Sequence, residues 1–84
     1  MQDKNNKIRI YDYTVIFKPF EEGGYDVIVP AIPEICTFGD TIEEAREMAE
    51  DAIKCYIESA IELNEPIPID SEVSFEKIVV KVAS

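Results

Sequence analysis

The side chains in this sequence able to do chemistry are its carboxylates. Eighteen Asp and Glu stand against eight Lys and Arg, with no histidine, for a formal charge of −10 over 84 residues. Paired carboxylates can hold divalent cations for phosphodiester hydrolysis, and Asp12 and Asp26 are the pair a hairpin could place side by side. Such a site needs several ligands converging on one point, which an excess of acids does not by itself supply. A remnant metal-dependent nuclease is therefore the minor reading. Without histidine there is no Ser-His or Cys-His relay. The phosphate-cradling patterns G-x-G-x-x-G and G-x-x-x-x-G-K-[ST] are absent. Cys36 and Cys55 match no zinc spacing and read as small buried or half-buried hydrophobes. They could pair as a disulfide only if a helix and a strand brought them within reach. The expectation is a chain without catalytic residues, cofactor or metal, and so a binding module and not an enzyme.

The acids are unevenly placed. Between residues 34 and 72 the only bases are Arg46 and Lys54. Such a surface repels a phosphate backbone and attracts a basic protein, so no direct nucleic-acid binding is expected. Glu43, Glu44, Glu47 and Asp51 cluster on one helix, and with Glu34 and Asp40 they are the candidate contacts for a basic partner. Glu43/Glu47 and Glu47/Asp51 repel at i,i+4, by roughly 0.2–0.5 kcal/mol per pair in an isolated helix. A helix selected only for its own stability would mix the signs better. The bland alternative is a solvated, soluble face.

One domain is expected over residues 1–84, with residues 1–7 a polar, flexible tail. That tail has no apolar core and is no signal peptide, and no run approaches the ~20 apolar residues of a membrane span. A cytoplasmic protein is expected. Ile8–Phe17 is rich in β-branched and aromatic residues and predicts a first strand. Its odd positions Tyr11, Tyr13, Val15 and Phe17 should share one face. Glu21–Gly24 predicts a turn, and Tyr25–Val29 the returning strand. Pro30 and Pro33 bracket an irregular connection before a short third strand, Ile35–Phe38, broken by Gly39-Asp40. Thr41-x-x-Glu44 is a capping box, and apolar residues recur at helical spacing to about Leu63, where Asn64 and Pro66 stop the helix. Val73–Val82 predicts a fourth strand, with a bulge near Glu76-Lys77. The expected fold is α+β in the order β-β-β-α-β, a small mainly antiparallel sheet with one long helix on one face. Ile10, Ile16, Ile28 and Val79 then fall on the sheet face away from the helix. They are the candidates for an oligomer face, since a purely solvated face would be more uniformly polar.

Within Gly24–Ala45 the residues Gly24-Tyr25, Val27, Pro30, Pro33, Thr37, Gly39-Asp40-Thr41 and Glu43-Glu44-Ala45 follow an ordered pattern. With the strand Tyr13–Phe17 and a long helix containing Ala52, the sequence resembles the HicB-like antitoxin family over residues 11 to about 64. The resemblance implies a partial RNase H-like domain in the order given above. It also implies a role in a type II toxin-antitoxin system, binding a small basic HicA-type toxin that cleaves mRNA and blocking it by steric occlusion. Two departures stand out. Many relatives carry a further DNA-binding domain for which this sequence has no segment after its predicted fourth strand, so autorepression is not expected. The residue after the second proline is often glycine in the family and is Glu34 here. The alternative, from a different class, is an orphan structural or regulatory domain that self-assembles through its second sheet face.

Overall fold

The computed structural model describes residues 8–83. Four elements are present in the order β1 (Ile16–Pro19), β2 (Tyr25–Ile28), β3 (Thr37–Gly39) and α1 (Ile42–Glu62). The strands form an antiparallel sheet in the order β1-β2-β3, with α1 packed on one face, so the fold is of the small α+β class.

The β1–β2 hairpin closes because Gly23 and Gly24 both take positive φ, 107° and 90°, a region costly for residues with a Cβ. The Gly23 N–H donates to the Phe20 carbonyl at 3.1 Å, and the Phe20 N–H to the Gly24 carbonyl at 2.9 Å. Register then sets Ile16 opposite Ile28, Phe17 opposite Val27 and Lys18 opposite Asp26. The period-2 pattern turns Tyr13, Val15, Phe17, Tyr25, Val27 and Val29 toward the core, as their spacing predicts. Pro19 ends β1, where an edge strand tolerates a residue without an N–H.

Between β2 and β3 the chain makes two turns, closed by the Ile32 N–H to the Val29 carbonyl and the Ile35 N–H to the Ile32 carbonyl. These turns drive Ile32 inward until it is 0% exposed. It joins Val27, Val29, Ala45 and Ala49 as the buried core. Both helix residues in that cluster are alanines, which let α1 lie close to the sheet, and Ile57 and Ala60 are buried further along the helix.

α1 begins where its sequence says it should. The Thr41 hydroxyl accepts from the Glu44 N–H at 3.0 Å. The Glu44 carboxylate reaches one residue further back than a standard capping box and accepts from the Asp40 N–H. The helix ends in a Schellman arrangement: Asn64 takes φ 59°, the Glu65 N–H donates to the Ala60 carbonyl and the Asn64 N–H to the Ile61 carbonyl.

Two expected strands differ. β1 starts at Ile16, not Ile8, and Ile8 and Ile10 lie exposed on an extended lead-in. Val73–Val82 has strand-like sequence but no ladder, so neither a fourth strand nor a bulge at Glu76-Lys77 forms. The reason is the same for both. A strand exists only where a second backbone answers its N–H and C=O groups, and no strand among the described residues does so for these segments. The tail at residues 1–7 lies outside the described residues.

Candidate functional site

The candidate surface lies where β3 meets the first turns of α1. Gly39 is buried there, and a Cβ built on it would stand 2.3 Å from the Ala45 nitrogen and 2.6 Å from its Cα. Glycine is required at this position for close approach and not for an unusual φ. That approach pins the helix start against the sheet and fixes the direction in which the first acidic turn points.

The six candidate acids do not form one cluster. Glu43, Glu47 and Asp51 recur at i,i+4 and occupy an exposed row, on the side of α1 away from Ala45, Ala49 and Ala60. Asp40 and Glu44 adjoin the start of that row, but the Glu44 carboxylate is engaged by the Asp40 backbone N–H and serves the cap. Glu34 stands apart. Its Oε2 accepts weakly, at 3.5 Å, from the hydroxyl of Tyr56 on the flank of α1 facing the β2–β3 connection. Burial raises the Tyr56 hydroxyl pKa above its ordinary value, and the neighbouring Glu34 charge adds to this, so the phenol stays protonated and able to donate. The acids Glu43, Glu47 and Asp51 therefore make the compact negative strip.

Asp12 and Asp26 are not neighbours. The ladder places Lys18 opposite Asp26, and Asp12 lies before the paired residues of β1. Among the described residues no three Asp, Glu, His or Cys side chains group closely enough to hold a metal ion. Cys36 and Cys55 are both free and exposed, which corrects the expectation of buried or half-buried thiols; Cys36 lies just before β3 on its outer side. Of the oligomer-face candidates, Ile16 and Ile28 are paired across β1 and β2 and share the face opposite α1. Ile10 and Val79 are exposed on segments outside the ladder.

Sequence reasoning missed a clamp. Asp70, beyond the helix, accepts from the Thr14 N–H at 2.8 Å and from the Thr14 hydroxyl at 3.0 Å, while the Tyr13 hydroxyl donates to the Pro68 carbonyl at 2.6 Å. The exit from α1 is thereby tied to the lead-in of β1. Only the polar residue at the end of the Pro-Ile-Pro-Ile-Asp run hinted at it. Hydrogen bonds, first from the Thr14 N–H and also from its hydroxyl and the Ser71 backbone, outweigh desolvation and hold the Asp70 carboxyl below its ordinary pKa. A carboxyl depressed on folding stabilises fully above its unfolded value of about 4, and that contribution is lost as pH falls through the lower folded value. The Tyr13 hydroxyl is raised, chiefly by burial and then by the charges of Tyr11, Asp70 and Asp12, so its bond persists until the pH passes above about 10. Asp70→Ala is expected to speed exchange of the Thr14 amide markedly at neutral pH relative to the parent, and that difference, taken at equal pH, is expected to shrink as acidification below pH ~4 carries the parent carboxyl through its lower folded value. Equal exchange in parent and variant, followed by NMR, would remove the clamp.

No described helix is long and apolar enough to cross a membrane. The family model described as "HicB_like antitoxin of bacterial toxin-antitoxin system" matches residues 13–81. The chain is 52% identical over 61 residues to the protein named Antitoxin HicB 1 of Photorhabdus laumondii, covering 73% of this chain and 39% of that protein. It is 48% identical over 59 residues to a UPF0150 protein of Thermoplasma acidophilum, covering 70% of this chain and 86% of the relative. To the protein named Antitoxin HicB of Escherichia coli K12 it is 40% identical over 76 residues, covering 86% of this chain and 55% of that one. The chain thus spans from under half to about half the length of the two proteins named as antitoxins, and most of the UPF0150 relative.

Proposed function

Because the chain belongs to the HicB-like antitoxin family of bacterial toxin-antitoxin systems, we propose that it acts as an antitoxin by binding a small basic HicA-type toxin that cleaves mRNA. It blocks that toxin by covering its RNA-binding surface, acts in the cytoplasm and performs no chemistry of its own. The observation that carries the reading is the family match across residues 13–81, taken with the exposed negative strip Glu43, Glu47 and Asp51.

The physics of the strip suits that role. Surface charges add little to the stability of a complex by themselves but steer encounter with an oppositely charged protein, a rate effect that weakens as salt rises. Apolar packing beside the strip then sets the residence time. Asp40 adjoins the start of the strip and is a secondary contact, and Glu34, apart from the strip beside Tyr56, would be a separate one. Glu44 contributes by holding the helix start in place.

The test begins with the protein encoded beside this chain. Co-expression is expected to yield a complex with a small basic partner whose toxicity this chain suppresses. Reversing the strip with Glu43→Lys, Glu47→Lys and Asp51→Lys is expected to slow association at least about tenfold at low salt, with a smaller effect at high salt. If no small basic protein is encoded nearby, or none co-purifies, the toxin-blocking reading fails.

A further inference from the structure

Among the described residues there are a groove and an arm without a strand partner, and the two match. The groove has a volume of about 1160 Å³ and runs between the β1 side of the sheet and α1. Its apolar walls are Tyr13, Val15 and Phe17 on one side and Ile53, Ile57 and Ile61 on the other. It lies beside β1, whose outer edge pairs with no strand among the described residues. An edge of this kind, next to an apolar trough, is where a sheet accepts one more strand.

The arm is Val73–Val82. Ile78, Val80 and Val82 alternate with Lys77, Val79 and Lys81, the pattern of a strand with one apolar face. In the molecule as it stands those apolar residues are open to solvent, Ile78 by 76%, Val80 by 73% and Val82 by 80%. The clamp between Asp70 and Thr14 anchors the root of the arm at the entry to β1. Beyond that root the arm stays exposed, and the molecule extends 70 × 26 × 18 Å. Neither α1 nor the three-stranded sheet reaches that length. The 21 residues of α1 rise roughly 32 Å. The arm, at about 3.3 Å per residue, is roughly 33 Å long and so matches the floor that α1 covers.

We infer that the arm of one molecule fills the groove of a second copy of this chain, and that the exchange is reciprocal. Each copy supplies one arm and one groove, so a two-fold pair satisfies both and closes on itself. The incoming strand adds to the β1 edge, with Ile78, Val80 and Val82 turned toward Ile53, Ile57 and Ile61 and Lys77 and Lys81 kept in water. The inference is independent of whether a toxin is bound, since it concerns only what this chain does with itself.

Light scattering on the whole chain and amide exchange over residues 73–82 test it. The expected result is a dimer that dissociates on dilution, with the arm amides protected in the dimer and unprotected in the monomer. Ile78→Asp with Val80→Asp on the arm, or Ile61→Arg in the groove, is expected to give a monomer at concentrations where the parent is dimeric. All three positions are exposed in the single molecule, so helix content by circular dichroism should not change. Four outcomes overturn the inference. One is a dimer that survives in both variants. A second is arm protection in a monomer, which would mean that the arm fills its own groove. A third is a monomeric parent with unprotected arm amides, and the fourth is groove protection that appears only when a basic partner protein is added.

Discussion

Gly39→Ala is expected to destabilise the domain by about 3 kcal/mol or more and to lower its melting temperature by roughly 12–24 °C. The added Cβ would stand 2.3 Å from the Ala45 nitrogen and 2.6 Å from its Cα. Both are backbone atoms inside the first turn of α1, so no side chain can swing aside. Relief requires α1 to move off β3, which opens the core at Ala45 and Ala49. Gly23→Ala is the fitting control. Gly23 has a positive φ of 107° but no atom within 4 Å of an added Cβ. That variant is expected to lose only the conformational cost, about 1–2 kcal/mol. Thermal unfolding of the two variants side by side distinguishes steric from conformational need. A Gly39→Ala protein as stable as Gly23→Ala would show that β3 and α1 do not meet as described. Because the same contact aims the first acidic turn, partner binding is expected to fall with it.

The second large effect is expected at Ile32. This residue is 0% exposed and packs with Val27, Val29, Ala45 and Ala49. Ile32→Ala deletes buried methyl and methylene groups and leaves a void that two turns closed by backbone hydrogen bonds cannot easily collapse. A loss of about 2–5 kcal/mol follows. A domain of this length commonly has only about 5–10 kcal/mol in total, so the variant should be substantially unfolded at moderate urea. Ile28→Ala, on the outer face, should cost far less. Urea titration gives both values, and an Ile32 variant within about 1 kcal/mol of the parent would contradict the core drawn here.

The importance of Ile32 was hard to see in the sequence. It sits between Pro30 and Pro33 in what reads as an irregular connection, and connections are ordinarily at the surface. The two prolines mark a stiff path but not which side chain that path turns inward. Gly39 was read as the end of a strand, and its neighbour across the contact is six positions along the chain, in another element. The acidic strip was legible in part. Glu43, Glu47 and Asp51 keep the exposed row their spacing predicts, whereas Glu44 is drawn into the helix cap and Glu34 toward Tyr56. Spacing tells which side chains share a face; it does not tell which are already engaged.

What the sequence determined by itself is everything governed by near neighbours along the chain. The glycine pair closes the hairpin, Thr41 starts the helix and Asn64 stops it, and the alternation in β1 and β2 picks the core face. The Gly24–Ala45 pattern, which carries the family resemblance, and the net charge of −10 are sequence properties too. The tertiary structure alone decided the rest: the β3–α1 contact at Gly39, the burial of Ile32, the Asp70 clamp, and above all the absence, among the described residues, of a strand partner for Val73–Val82. The physical reason is that a helix satisfies its own hydrogen bonds and a strand does not. A strand-like sequence is an offer to pair, and only the three-dimensional arrangement shows whether the molecule itself can accept it.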